Sequence, residues 1–175
     1  MVISLSELMN VPDGVLQESV PVELAFFEYQ GENYPFLKKE NVELTVQNLG
    51  ERKIRIELVG AVVLAVPCDR CLKEVSVPVD ISMSAEFDFS GSNEESVLDL
   101  NETNYIDGYE LDVDKLVYEE ILLGFPMKVL CKEDCKGICK VCGADLNEGE
   151  CDCDRTELDP RMSVIRDIFN NFKEV

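Results

Sequence analysis

Six cysteines fall within the stretch CKEDCKGICKVCGADLNEGECDC, Cys131 to Cys153, of a chain that has no histidine. Thiols at that density pair as disulfides, run a redox couple, hold a catalytic metal or hold a structural one. Their spacing is Cys131-x3-Cys135-x3-Cys139-x2-Cys142-x8-Cys151-x-Cys153. The piece Cys139-Lys140-Val141-Cys142-Gly143 has the form of a zinc knuckle: two thiolates grip one ion from a tight turn, and the glycine supplies the left-handed backbone needed just after the second. Cys151 and Cys153, one short loop away, are placed to close a tetrahedron. Zinc held by four thiolates is a closed, structural site with no open position for substrate. Six thiols exceed the four that one ion uses, so spacing leaves the ligand set open. Cys139 and Cys142 with one or both of Cys151 and Cys153 come first, Cys135 is the replacement or fourth member, and Cys131 stands last.

A second pair, Val66-Pro67-Cys68-Asp69-Arg70-Cys71-Leu72, admits several readings. A thioredoxin-like couple leads into a helix whose N-terminus lowers a thiol pKa, whereas the segment EVSVPVD that follows reads as a strand. A zinc deaminase needs a His-x-Glu or Cys-x-Glu upstream, and no histidine or earlier cysteine exists. What remains is a metal pair completed from elsewhere, with Cys131 and Cys135 as candidates, or two buried reduced thiols. Eight cysteines would fill two four-thiolate sites. The other catalytic patterns fail as well: without histidine there is no Ser-His-Asp or Cys-His pairing, and no phosphate-cradling G-x-x-x-x-G-K-[ST] loop occurs. The residues point to a protein that is not an enzyme.

Charge narrows the partners. Sixteen Lys plus Arg against 36 Asp plus Glu give a formal net charge of −20. Phosphate is repelled from such a chain at long range, and basic proteins are attracted to it. The basic residues concentrate in one place, where Lys128, Lys132, Lys136 and Lys140 recur every fourth residue through the cysteine cluster. They offset thiolate charge around a metal, or they touch RNA phosphate or an acidic surface. No apolar run approaches the ~20 residues of a membrane span. The first basic residue is Lys38, so the N-terminus lacks the positive region of a secretory signal. A reducing cytosol is the expected compartment, and there clustered thiols favour metal over disulfide.

The elements that must position these thiols are mostly strands. Residues 2 to 20 read as a lead-in with one helical turn, SLSELM, stopped by Pro12-Asp13-Gly14. VELAFFE, VELTVQN, KIRIELVG, AVVLAVP, EVSVPVD and ISMSAEFDF follow, rich in β-branched residues and mostly alternating with period two. Pro78 suggests an edge position or a bulge. The expected fold class is α+β, an antiparallel sheet or half-barrel followed by a helix, a Cys-rich zinc module and a C-terminal helix. Three regions result: a β-rich domain over 1–89; an acidic excursion over 90–111, with a short hairpin around Asp107-Gly108; and residues 112–175. The last region holds a helix capped by Asp112 or Asp114, the cysteine module, and a final helix opened by Asp159-Pro160-Arg161. Val113, Leu116, Val117, Glu120 and Ile121 trace one face of the first of these helices, stopped by Gly124 and Pro126, and that face is expected to pack on the sheet.

In this order, Cys68-Asp69-Arg70-Cys71-Leu72, LVYEEILLGFP, the run Cys135 to Cys153 and Asp159-Pro160-Arg161 resemble the YceD family, named for large ribosomal RNA subunit accumulation in bacteria and plastids. The resemblance extends over nearly the whole chain. It implies a part in making or maintaining the large ribosomal subunit and its RNA, with a basic ribosomal protein or a pre-ribosomal RNA–protein particle as partner. It supplies no catalytic residues. Two rivals stand beside it: an acidic carrier for one basic protein without RNA contact, and a thiol redox or metal-transfer protein.

Overall fold

The computed structural model describes residues 1–89 and 104–153. The SGSNEES loop and the expected helix at Asp159-Pro160-Arg161 lie outside them. The chain divides into two compact units, one formed by Met1–Cys68 with Lys73–Val129, the other by Asp69–Leu72 with the chain from Leu130 onward. The boundaries drawn along the sequence follow chain order, whereas the units follow contact. The helix after residue 112 therefore belongs with the sheet, and the turn carrying Cys71 belongs with the cysteine-rich segment.

Among its described residues the first unit holds nine strands and two helices: β1 Val2–Ser4, α1 Ser6–Met9, β2 Val15–Val20, β3 Phe26–Tyr29, β4 Glu32–Lys39, β5 Val42–Gly50, β6 Lys53–Pro67, β7 Glu74–Asp88, β8 Ile106–Asp107, β9 Glu110–Asp112 and α2 Val113–Gly124. All strand pairings among the described residues are antiparallel. The larger sheet runs β2-β5-β6-β4-β3 with β7 also on β6, and β1, β9 and β8 form a smaller one. KIRIELVG and AVVLAVP, which the sequence presents as two strands, are one strand of 15 residues; the same holds for EVSVPVD and ISMSAEFDF. The physical reason is parity. Ile54, Ile56, Leu58, Vals 62 and 66 and Leu64 all occupy even positions and are all buried, so the alternation crosses Gly60 without a break. Gly60 is small for a packing reason, because a Cβ there would lie 2.7 Å from a Val42 methyl.

β7 matches β6 from Lys53↔Asp88 to Pro67↔Glu74. Its other edge carries no partner strand among the described residues, which is where Pro78, with no N–H to donate, is tolerated. Three strands had no counterpart in the sequence reading, the first being Val2–Ser4 within the expected lead-in. Val15–Val20 replaces part of the expected lead-in, and Glu32–Lys39 contains Pro35 opposite Phe26 in the β3–β4 hairpin. VELAFFE narrows to Phe26–Tyr29.

Asp112 caps α2, its side chain accepting from the Lys115 N–H. Val113, Leu116, Val117 and Ile121 are buried and join one continuous core with Phe27, Leu44, Ile56 and Ile81. Phe125, just past the helix end, packs on Phe27 with ring centres 5.2 Å apart, and Tyr118 lies 5.3 Å from the same ring. The hairpin at Asp107-Gly108 forms as the sequence suggests, with Gly108 at φ +58°. No helix among the described residues is long and apolar enough to cross a membrane.

Candidate metal centre

The second unit is built around sulfur. Among its described residues the buried side chains are Cys71, Cys135 and Cys139, and the apolar core contains none of its side chains. The eight thiols fall into two groups with no member shared: Cys68, Cys71, Cys131 and Cys135, and Cys139, Cys142, Cys151 and Cys153. Within each group all four sulfurs lie within 4.8 Å of one another. The tail's six thiols are thus divided. Cys139, Cys142, Cys151 and Cys153 come together, while Cys131 and Cys135 stand with Cys68 and Cys71.

The knuckle at Cys139 forms from local geometry. Gly143, at φ +74°, follows the second thiol and turns the chain back. Its N–H donates to the Cys139 carbonyl at 2.8 Å, and the Cys139 N–H donates to the Ala144 carbonyl at 2.8 Å. A single bridge between Ile138 and Asp145 closes the loop. The backbone N–H groups of Cys142 and Val141, aimed at the Cys139 sulfur, pull that thiol down to about 6. Cys153 moves the other way, to about 12, first through its contact with Cys142 and then through burial and Cys151. Four clustered thiols cannot all ionise against one another, so one is favoured as thiolate and another is held protonated. A dication at the centre removes that conflict.

The other group is held by contacts between its two sequence segments. The Arg70 guanidinium donates to the Cys135 carbonyl at 2.7 Å, and the Ile138 N–H donates to the Arg70 carbonyl at 3.1 Å. The Asn147 amide reaches the Cys135 sulfur at 3.4 Å while its oxygen accepts from the Lys136 N–H at 2.9 Å. Burial pushes the Cys135 thiol up, yet the hydrogen bonds from Asn147 and Gly137, with those from Cys131 and Cys71, outweigh it and leave the thiol below its ordinary range. Asn147 and Arg70 are absent from the sequence-level set of site residues. Arg70 sits visibly between two cysteines, but nothing in the spacing marks Asn147.

The donor set suits a metal. A tetrahedral ion with metal–sulfur bonds of ~2.3 Å needs sulfurs about 3.8 Å apart, and the Cys71 and Cys131 sulfurs lie 3.5 Å apart. That separation is far outside the ~2.05 Å of a disulfide. All-sulfur donors favour zinc or iron over the oxygen-seeking magnesium and calcium.

Lys128, Lys132, Lys136 and Lys140 are all exposed. Lys132 lies 4.0 Å from Asp134, and no helix runs through these residues, so the spacing of four does not align them on a helical face.

Comparison with known proteins gives the centre a family. The family model described as "Large ribosomal RNA subunit accumulation protein YceD" matches residues 56–169, a span holding all eight cysteines. The chain is 25% identical over 135 residues to the protein named "Large ribosomal RNA subunit accumulation protein YCED homolog 1, chloroplastic" of Arabidopsis thaliana, covering 62% of this chain and 42% of that protein. It is 26% identical over 112 residues to the uncharacterized protein YlbN of Bacillus subtilis, covering 63% of each. It is 24% identical over 129 residues to the uncharacterized protein Rv2926c of Mycobacterium tuberculosis, covering 74% of this chain and 61% of that protein. The chain therefore spans between 42% and 63% of the length of these relatives. No solved structure matches. With the family match extending across most of the chain and through both thiol groups, this protein belongs to the YceD family.

Proposed function

We propose that the protein is a non-enzymatic factor in making the large ribosomal subunit, acting in the cytoplasm by binding a basic ribosomal protein or a pre-ribosomal RNA–protein particle. The observation that carries this reading is the family match over residues 56–169 and the words in which that family is described. The chemistry agrees. A net charge of −20 draws basic polypeptides and disfavours bare phosphate. Any RNA contact then falls to the exposed Lys132, Lys136 and Lys140, beside thiol groups that fix the local backbone. A structural zinc on Cys139, Cys142, Cys151 and Cys153 serves this role, because four thiolates close the coordination shell and leave a shaped surface rather than a reactive ion.

Deleting the gene tests the biological role: large-subunit ribosomal RNA should fall relative to small-subunit RNA, and an unchanged ratio overturns the reading. The net charge also favours a second reading, an acidic carrier that holds one basic protein without touching RNA. Pulldown of the intact protein at low and high salt separates the two. Recovered large-subunit RNA that is lost when Lys132, Lys136 and Lys140 are changed to Glu supports direct contact; a basic protein recovered alone supports the carrier.

A further inference from the structure

We infer that the chain carries a second structural zinc ion, bound by Cys68, Cys71, Cys131 and Cys135. The inference does not rest on the ribosomal reading. It starts from a geometric repeat. The Cys139 N–H bonds the carbonyl five residues on, at Ala144, and the residue after Cys142 is left-handed. The Cys68 N–H likewise bonds the carbonyl five residues on, at Lys73, with the same 2.8 Å separation, and the residue after Cys71, Leu72, is left-handed at φ +61°. The two Cys-x-x-Cys turns are therefore built alike. In the first, glycine adopts the unusual conformation without strain; in the second, a leucine is held there against its preference. The left-handed leucine closes the β6–β7 turn and holds its two thiols as the glycine turn holds Cys139 and Cys142.

The far pair of ligands comes from a different turn. Cys131 lies sixty positions beyond Cys71 and Cys135 a little further, and their sulfurs complete a set within 4.8 Å. Gly137, at φ +78°, turns its N–H toward the Cys135 sulfur, and a Cβ there would meet the Arg70 carbonyl at 2.9 Å. The two ligand segments are thus fitted against each other through backbone, and sulfur is what that fit gathers. Binding is a proton exchange with no redox change: four thiols release their protons to solvent as four zinc–sulfur bonds form, and the centre carries a charge of about −2. Arg70, which bonds Cys135, brings a positive charge beside it.

Metal analysis of the intact chain, purified anaerobically, tests this. The expected count is two zinc ions per chain, with X-ray absorption showing sulfur as the only first-shell donor. The double variant Cys68→Ser, Cys71→Ser should keep one zinc, and so should Cys139→Ser, Cys142→Ser. If either variant fails to fold, titrating the wild-type protein with an organomercurial keeps the test open, because two zinc ions should be released as eight thiols react. One zinc per chain, iron in place of zinc, or alkylation mapping that finds Cys68 or Cys71 in a disulfide with Cys131 or Cys135 overturns the inference. None of these outcomes bears on ribosomal RNA levels, so the two proposals fail separately.

Discussion

Gly137 lies so close to Arg70 that a Cβ on the glycine would meet the arginine's carbonyl oxygen at 2.9 Å, and that oxygen is itself held by the Ile138 N–H. Gly143 shares the left-handed conformation but has nothing within 4 Å of where a Cβ would stand. The two glycines therefore separate strain from collision. Gly143→Ala should cost only the backbone term, about 1–2 kcal/mol. Gly137→Ala adds a clash between two backbones that neither can relieve by a rotamer change, so its cost should be distinctly larger. Zinc retention under a graded chelator challenge reads the difference, and equal behaviour of the two variants would show that the Arg70 contact does not matter.

Leu72 offers the opposite experiment. It is 64% exposed and left-handed, so its side chain contributes little packing while its backbone is strained. Leu72→Gly should raise resistance to chelation and denaturant by up to about 1 kcal/mol, the relieved strain being partly offset by the freer unfolded chain. A loss of stability would mean that Leu72 packs in a way its exposure does not suggest.

The strands that the sequence made legible are those with one wet face and one dry face. β7 alternates along its 15 residues, β6 does so except at Gly60 and Ala65, and only their division into shorter pieces misled. β2 was missed because its covered side, Leu16, Glu18 and Val20, has a glutamate in the middle, so VLQESV shows no apolar alternation although its exposure alternates. The site divides along the same line. The Cys139–Gly143 knuckle is written within five residues, and spacing alone reveals it. The company of Cys68 and Cys71 depends on where the β6–β7 turn meets a segment sixty positions later, and a linear pattern gave only candidates for it. Asn147 is invisible for the same reason, since its role is set by folding and not by spacing.

Asn48 is a buried polar residue of the sheet, and its amide is shared among the carbonyls of Leu8, Met9 and Val11 at 3.0, 3.3 and 2.8 Å while its oxygen accepts from the Gly50 N–H at 2.9 Å. It ties α1 to the end of β5. Asn48→Ala should cost about 2–3 kcal/mol in chemical denaturation, because three carbonyls each lose one donor and the Gly50 N–H loses its acceptor. Asn48→Asp should cost more at neutral pH, since a carboxylate would face those oxygens. Its deficit should shrink as the pH falls and the acid becomes a donor again. A deficit independent of pH would count against this account of the contact.

Glu120 lies half-buried on α2, and burial first, then the neighbouring Glu119, holds its carboxyl above the ordinary range. For an acid with a raised folded-state pKa, the folded protein binds the proton more readily than the unfolded chain. Its favourable contribution is thus complete below the ordinary carboxylate pKa and is lost as pH rises through the raised value. Glu120→Gln should therefore match the wild type in acid and become the more stable protein at neutral pH. Denaturant midpoints measured at several pH values check the crossover, and parallel curves would refute it.

Metal removal should act on one unit and spare the other. The first unit has an apolar core running through Phe27, Leu44, Ile54, Ile56, Leu64 and Leu116, all essentially inaccessible to water. Each such side chain contributes about 1.5–3 kcal/mol through burial, which is ample for a sheet of this size to fold without an ion. The second unit buries cysteines in place of aliphatic side chains among its described residues, and thiols stripped of metal regain the mutual repulsion and loose packing that the ion removes. Hydrogen exchange on chelator-treated, reduced protein should thus show β5, β6, β7 and α2 still protected, while 130–153 exchange freely. Protection retained in 130–153 without metal would mean that something other than sulfur coordination holds that segment, and the structural role given to both thiol groups would fall with it.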